Sequence, residues 1–397
     1  MTHILSVSTA DPSFQSLLDR HQAFLKRADG KGHPGSFLRS TGVFASSVPV
    51  HLPQADGSAV TRAERLHPDT IDPASLIDEF ETWQFARSDA GQRLGIEIAR
   101  RQTIAFPGLG DILPFSQPFF KIPWIEAILG CPVKMTEGQI WVERYEGDLE
   151  TLLRQGIHFE DNPWFQLYLA FLEHLQTRLG RRYPVSANTL FRGPSDLVAA
   201  LIGVQEACLG WIQQPALMSR LMRLCTDANL ALIEAGCRVL QPFAGGYVSG
   251  YGTWTPGPVV RTQADHSALL SPHMYEKQIL PYDLEIVRAQ PFCIFHIHNN
   301  GLHVAPYLTR IAELDVIEVV VDPYPTGERK QVEIDMLRTI QKHKPLILDV
   351  NFPSLEEAKW LERQLSPRGL CFNARFSEET FRSLPAGTPG GTFWVLR

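Results

Sequence analysis

Two histidines spaced two residues apart, His296 and His298, close the apolar run Phe292-Cys-Ile-Phe295 and are followed at once by Asn299-Asn300-Gly301. The run predicts a buried strand, and the Asn-Asn-Gly stretch predicts the turn that ends it. Successive residues of a strand point to opposite faces, so both imidazoles project to one side at the end of the strand. Neutral imidazoles sharing a face are metal donors, and a zinc ion held there needs one or two further ligands. The competing reading makes one histidine the cap of the strand and gives the other a hydrogen bond in the core.

Other chemically capable residues lie near strand ends. Gln263, Asp265 and His266 follow the Gly/Tyr-rich stretch from Gly245 to Trp254. That stretch reads as a βα loop over the mouth of the fold, with Tyr247, Tyr251 and Trp254 as an aromatic wall for a flat or apolar substrate. An ordinary ordered loop is the alternative. Asp265 and Tyr251 are the catalytic candidates, Asp265 as general acid or base, or as a metal ligand. Arg375, two residues beyond Asn373, has the geometry to hold a substrate carboxylate in a bidentate pair, unless an internal acid takes it. Asn299 and Asn373 are further candidate substrate contacts. Asp322 and Asp349 are strand-end acids, suited either to orienting a ligand histidine or to capping the next helix.

These residues need a scaffold that brings several strand ends together. Strands are expected at Val239–Phe243, Phe292–Phe295, Val316–Val321, Leu346–Val350 and Leu370–Phe372, with a further unit from Tyr183 to Phe191. Amphipathic helices fill the gaps, among them one from Leu197 to Ile212, one from Pro215 to Ala235 stopped by Gly236, and those at Val332–Lys342 and Leu355–Gln364. Repeated βα units imply a parallel sheet with helices outside it. No glycine-rich dinucleotide fingerprint is present, and the polar residues cluster just after strands, as in (β/α)8 enzymes. The expected fold is therefore α/β, a (β/α)8 TIM barrel over residues 95–397. Residues 1–94 are expected to form an N-terminal helical extension, with helices near Phe14–Arg27 and from Pro73 to Phe85, the latter capped by Asp72.

The bulk composition bounds the function. The chain has 397 residues, 44% of them hydrophobic, and a net charge of −6, which gives no basic field for nucleic acid. No apolar stretch approaches the ~20 residues that span a bilayer, and the first residues do not form a secretory signal. Six scattered cysteines without a CxxC pair fit reduced thiols in a cytoplasmic protein.

Several segments resemble the uroporphyrinogen decarboxylase superfamily. Phe295-His-Ile-His-Asn-Asn-Gly301 resembles its F-H-x-C-G-N strand end, nearest to the form found in cobalamin-linked methyltransferases. Leu270-Ser-Pro-His-Met-Tyr-Glu-Lys-Gln-Ile-Leu-Pro281 is similar to its segment ISPEMYREFVLPY. Arg192-Gly-Pro-Ser-Asp196 resembles its Gly-Pro motif before a helix, and Leu370-Cys-Phe-Asn-Ala-Arg375 resembles its C-G-N-V strand. The R-Q-A-G-R-Y and G-H-G motifs of uroporphyrinogen decarboxylase itself have no counterpart here. The resemblance implies a zinc site formed by His296, His298 and Cys371, with His298 standing where the family has a cysteine. It further implies a zinc-dependent methyl or alkyl transferase that activates a thiol or similar small-molecule acceptor, a corrinoid donor on a separate protein, and a homodimer. The alternatives are a lyase or hydrolase using the same pocket on a carboxylated substrate, and a non-catalytic barrel that binds a small molecule or metal.

Overall fold

The computed structural model describes residues 12–27, 37–43, 64–74, 109–113, 115–118, 122–136, 139–180, 184–187, 191–377 and 380. Its strands are β1 (Phe37–Val43), β2 (Glu64–Arg65), β3 (Leu109–Gly110), β4 (Val133–Thr136), β5 (Gln139–Val142), β6 (Tyr247–Val248), β7 (Trp254–Thr255), β8 (Val259–Gln263), β9 (Phe292–His298), β10 (Val316–Val321), β11 (Leu346–Phe352) and β12 (Leu370–Phe376). Seven form the main sheet in the order β3-β1-β12-β11-β10-β9-β8. Six of these run parallel, and β3 closes one edge antiparallel to β1. Among the described residues the edges β3 and β8 are not joined by hydrogen bonds, and a separate parallel bridge links Ser116 to Val185.

The central strands are buried on both faces, which is why they read as continuous apolar runs and not as alternating ones. In β10 only Val320 is not fully buried, even though the strand carries Glu318. Helices Gly327–His343 and Leu355–Gln364 connect β10 to β11 and β11 to β12. The second starts at Ser354, whose side chain accepts from the Glu357 amide at 3.2 Å, a hydroxyl cap for an otherwise unpaired amide.

Three expectations change. The helix Pro12–Lys26 forms close to where it was expected, but the segment that follows it enters the sheet. β1 pairs with β12 along seven residues, Phe37 opposite Leu370 to Val43 opposite Phe376. The expected strand at Val239–Phe243 is absent: the helix Pro215–Val239 runs through Gly236. Gly236 does not stop the helix; it makes room for a neighbour, since a Cβ there would lie 2.9 Å from the Tyr168 hydroxyl. The expected helix Leu197–Ile212 is two helices, Pro194–Ile202 and Val204–Gln213, bent by 109° at Gly203. The Pro73–Phe85 helix falls mostly outside the described residues, although Asp72 does accept from the Ala74 amide at 3.0 Å.

No single helix among the described residues is long and apolar enough to cross a membrane.

Candidate metal centre at the strand ends

His296 and His298 emerge from the C-terminal end of β9 with their rings perpendicular and 4.9 Å apart between centroids. β8 ends at Gln263, opposite His296. Two residues on, Asp265 opens the short 3-10 turn Asp265–Leu269 and brings its carboxylate against both imidazoles. Asp265 Oδ1 lies 3.6 Å from His296 Nε2, and Oδ2 lies 3.9 Å from His298 Nε2. One ligand atom from each of the three residues falls within 4.8 Å of the others. A tetrahedral ion with ~2.0–2.1 Å bonds separates its ligand atoms by roughly 3.4 Å, so the spacing is that of a slightly open metal site. Asp265 Oδ1 is buried and has no hydrogen-bond partner. A desolvated carboxylate oxygen facing a neutral imidazole lone pair is what a cation would satisfy.

The environment keeps His296 in the form that binds a metal. Burial drives its pKa well below the usual histidine value, and the Arg261 guanidinium adds to this. Its Nδ1 is hydrogen-bonded to Glu318 Oε2, a carboxylate that faces it from β10 at the paired position. With Nδ1 donating, the lone pair is on Nε2, the nitrogen turned toward Asp265. Glu318 is itself pushed up to about 7 by burial, against the opposing pull of Arg261 and Tyr251. Asp265 is raised to about 6, first by desolvation and then by the nearby Asp196.

Cys371 is not among these donors. The strand register places it in the row His296–Glu318–Ile347–Cys371, three strands away from His296, on the order of 14 Å along the sheet. It is fully buried with Leu38, Ile294, Val316 and Ile347, and burial raises its thiol far above the usual range. Its Sγ lies 3.6 Å from Asn373 Oδ1, which also accepts from the Ser40 hydroxyl at 2.7 Å. The group that lies against the two imidazoles is instead the carboxylate of Asp265, two residues beyond the end of β8.

The aromatic stretch is also placed differently. Because β8 starts only at Val259, the segment from Gly245 to Trp254 feeds the N-terminal end of the sheet, away from the histidines. Tyr247 pairs with Thr255 in the β6–β7 hairpin. Trp254 is a core residue whose indole donates to the Phe243 carbonyl at 3.2 Å. Tyr251 is the exception: it reaches up to Arg261, accepting from Nε at 2.8 Å, and lies beside Glu318. It sits beneath the centre and lines no wall above it.

The candidate substrate contacts are mostly occupied. Arg375 is ion-paired with the buried Asp349 and keeps 28% of its side-chain surface exposed. Asn299 donates to Glu333 and to the Pro323 carbonyl at 3.1–3.2 Å, tying the turn after β9 to the helix that follows β10. Asp349 is pushed up to about 6 by burial, with Arg375 opposing.

Glu318 and Arg261 did not stand out in the sequence, although Glu318 carried a signal: it is the one charge inside an otherwise apolar strand, and such charges are buried only when paired.

No protein-family model matches the chain, and no curated protein matches it. Among solved structures it is similar to a methyltransferase from Methanosarcina mazei, with a TM-score of 0.53 and 14% identity over 96% of each chain. The chain thus shares the overall fold of a known methyltransferase.

Proposed function

We propose that this protein is a metal-dependent methyl or alkyl transferase of the uroporphyrinogen decarboxylase-like class, built on a closed (β/α)8 barrel, with zinc held by Asp265, His296 and His298. The observation that carries this reading is the desolvated, unpartnered Asp265 Oδ1 facing His296 Nε2 across 3.6 Å. A set of two imidazoles and one carboxylate suits zinc and leaves a fourth position open. Bound there, the ion would lower the pKa of a thiol, alkoxide or water entering that position.

The protein's own residues do the rest. Glu318 holds His296 in one tautomer and orientation. Arg261 compensates the buried acids beneath the site, since it is itself nearly inaccessible at 3% exposure. His298 is the more exposed of the two imidazoles. In this reading Asp265 is a ligand and not a proton carrier, and the methyl donor is a corrinoid on a separate protein. The fold-level likeness to a methyltransferase supports transfer over lysis.

A lyase or hydrolase acting on a carboxylated substrate is the second reading. The partial exposure of Arg375 beside His298's row favours it, because a substrate carboxylate can share that guanidinium with Asp349. The deciding assay offers the zinc-loaded protein methylcobalamin and a panel of thiols. Thiol-dependent loss of the methylcobalamin spectrum supports transfer. Turnover of carboxylated substrates with no change in that spectrum supports the second reading.

A further inference from the structure

Gln263 makes an unusual pair of donations. Its Nε2 donates to Asp196 Oδ2 at 2.8 Å and to Asp265 Oδ2 at 2.7 Å. Its Oε1 accepts from an Arg261 guanidinium nitrogen. A guanidinium carries donors only, so Arg261 fixes which way the carboxamide faces: Oε1 toward the arginine, Nε2 toward the two carboxylates. Arg261 is anchored in turn by the Phe191 carbonyl at 2.8 Å and the Tyr251 hydroxyl at 2.8 Å. Asp196 is anchored independently, Oδ1 accepting from the His266 amide at 2.7 Å and Oδ2 from the Asp265 amide at 3.2 Å.

The result is an asymmetric Asp265. Oδ2 is satisfied by Gln263, while Oδ1 is buried, unpartnered and turned toward His296. We propose that Gln263 is a positioning residue that selects Oδ1 as the single oxygen Asp265 offers to the metal. The inference rests on the metal reading above and deepens it. A carboxylate free to rotate can bind through both oxygens and fill the coordination position that a substrate atom must enter. Held by one oxygen, it leaves that position open. Gln263 therefore acts through Asp265 without touching the ion.

Cobalt(II) tests this without any assay of turnover, because its visible spectrum reports coordination number. Metal-free wild type, Gln263→Leu and Gln263→Glu are titrated with cobalt(II), and thermal melts establish that each is folded. Gln263→Glu keeps an acceptor for Arg261 but loses both donations, so it serves if the leucine variant does not fold. The wild type is expected to bind one cobalt per chain with the intense visible absorption of a four-coordinate site. The leucine variant is expected to bind about 10- to 100-fold more weakly, the usual effect of removing a residue that orients a ligand. Both variants are expected to show the weaker absorption of a higher coordination number. A folded variant with the wild-type affinity and spectrum overturns the role of Gln263 and leaves the metal reading standing. A wild type that binds no cobalt overturns the metal reading, and the proposal falls with it.

Discussion

At the scale of single residues, the centre depends on desolvation. Burial and Arg261 keep His296 neutral and Glu318 orients it, so its Nε2 lone pair is ready without a proton to lose. Replacing Glu318 with glutamine keeps an acceptor for Nδ1 but removes the carboxylate that makes the imidazole a stronger donor. Zinc affinity, measured by competition with a chelator, should fall by about 10- to 100-fold. Cys371 shows the opposite behaviour. The resemblance assigns it to the metal, whereas the register sets it three strands from His296 in an apolar cluster. Cys371→Ala should therefore keep its full zinc content, read by elemental mass spectrometry, and lose only the modest stability of a small buried side chain. Asp265 shows where sequence and structure part. Its place after a strand was visible only as proximity to a Gly/Tyr-rich stretch, because the five-residue β8 is too short to announce itself beside that stretch.

At the scale of elements, the long apolar strands were legible and the short or mixed ones were not. β9, β10, β11 and β12 appear where continuous Val/Ile/Leu/Phe runs predict them. β1, Phe-Leu-Arg-Ser-Thr-Gly-Val, carries three polar residues and was hidden; tertiary pairing with β12, and not propensity, makes it a strand. Gly236 misled because a glycine near a helix end usually marks a stop, and here it marks a close approach. Another close approach joins the Gly-Pro-Ser-Asp turn to the site: a Cβ on Gly193 would lie 1.7 Å from the Gln263 carbonyl oxygen. Gly193→Ala should destabilise the fold by ~1–3 kcal/mol in chemical denaturation, with metal affinity falling because Asp196 and Gln263 shift together.

The N-terminal helix is fastened by a histidine. His21 Nε2 donates to the Asp111 carbonyl at 2.8 Å, and its Nδ1 accepts from the Trp254 amide at 3.1 Å. That arrangement needs a neutral ring, and burial lowers its pKa from 6.5 to about 4. The folded state thus disfavours the proton that the unfolded chain accepts. Stability from this group is complete above pH 6.5 and is lost as pH falls toward 4, by roughly 3 kcal/mol in all at ~1.4 kcal/mol per pKa unit. Buried acids with raised pKa values slope the other way, so the informative quantity is a difference. The stability of wild type relative to His21→Gln should decline between pH 6.5 and 4, as measured by urea denaturation.

At the scale of the whole molecule, six parallel strands deliver polar ends to one side while their central stretches build the core. The site draws on the ends of β8 and β9, and β10 supports it from the side. This division explains why the cluster of polar strand ends was more legible than which of its residues meet. Residue types at strand ends announce a centre, but the partner of each is decided by register between strands far apart in sequence. The likeness to a methyltransferase extends over 96% of the chain and is one of fold. The most direct measurement is zinc content after reconstitution for wild type, Asp265→Asn, His298→Ala and Cys371→Ala. One zinc per chain in wild type and Cys371→Ala, with a loss in Asp265→Asn and His298→Ala well beyond that of an orienting residue, is the predicted result. Zinc lost in Cys371→Ala but retained in Asp265→Asn, or no zinc in the wild type, would contradict the account.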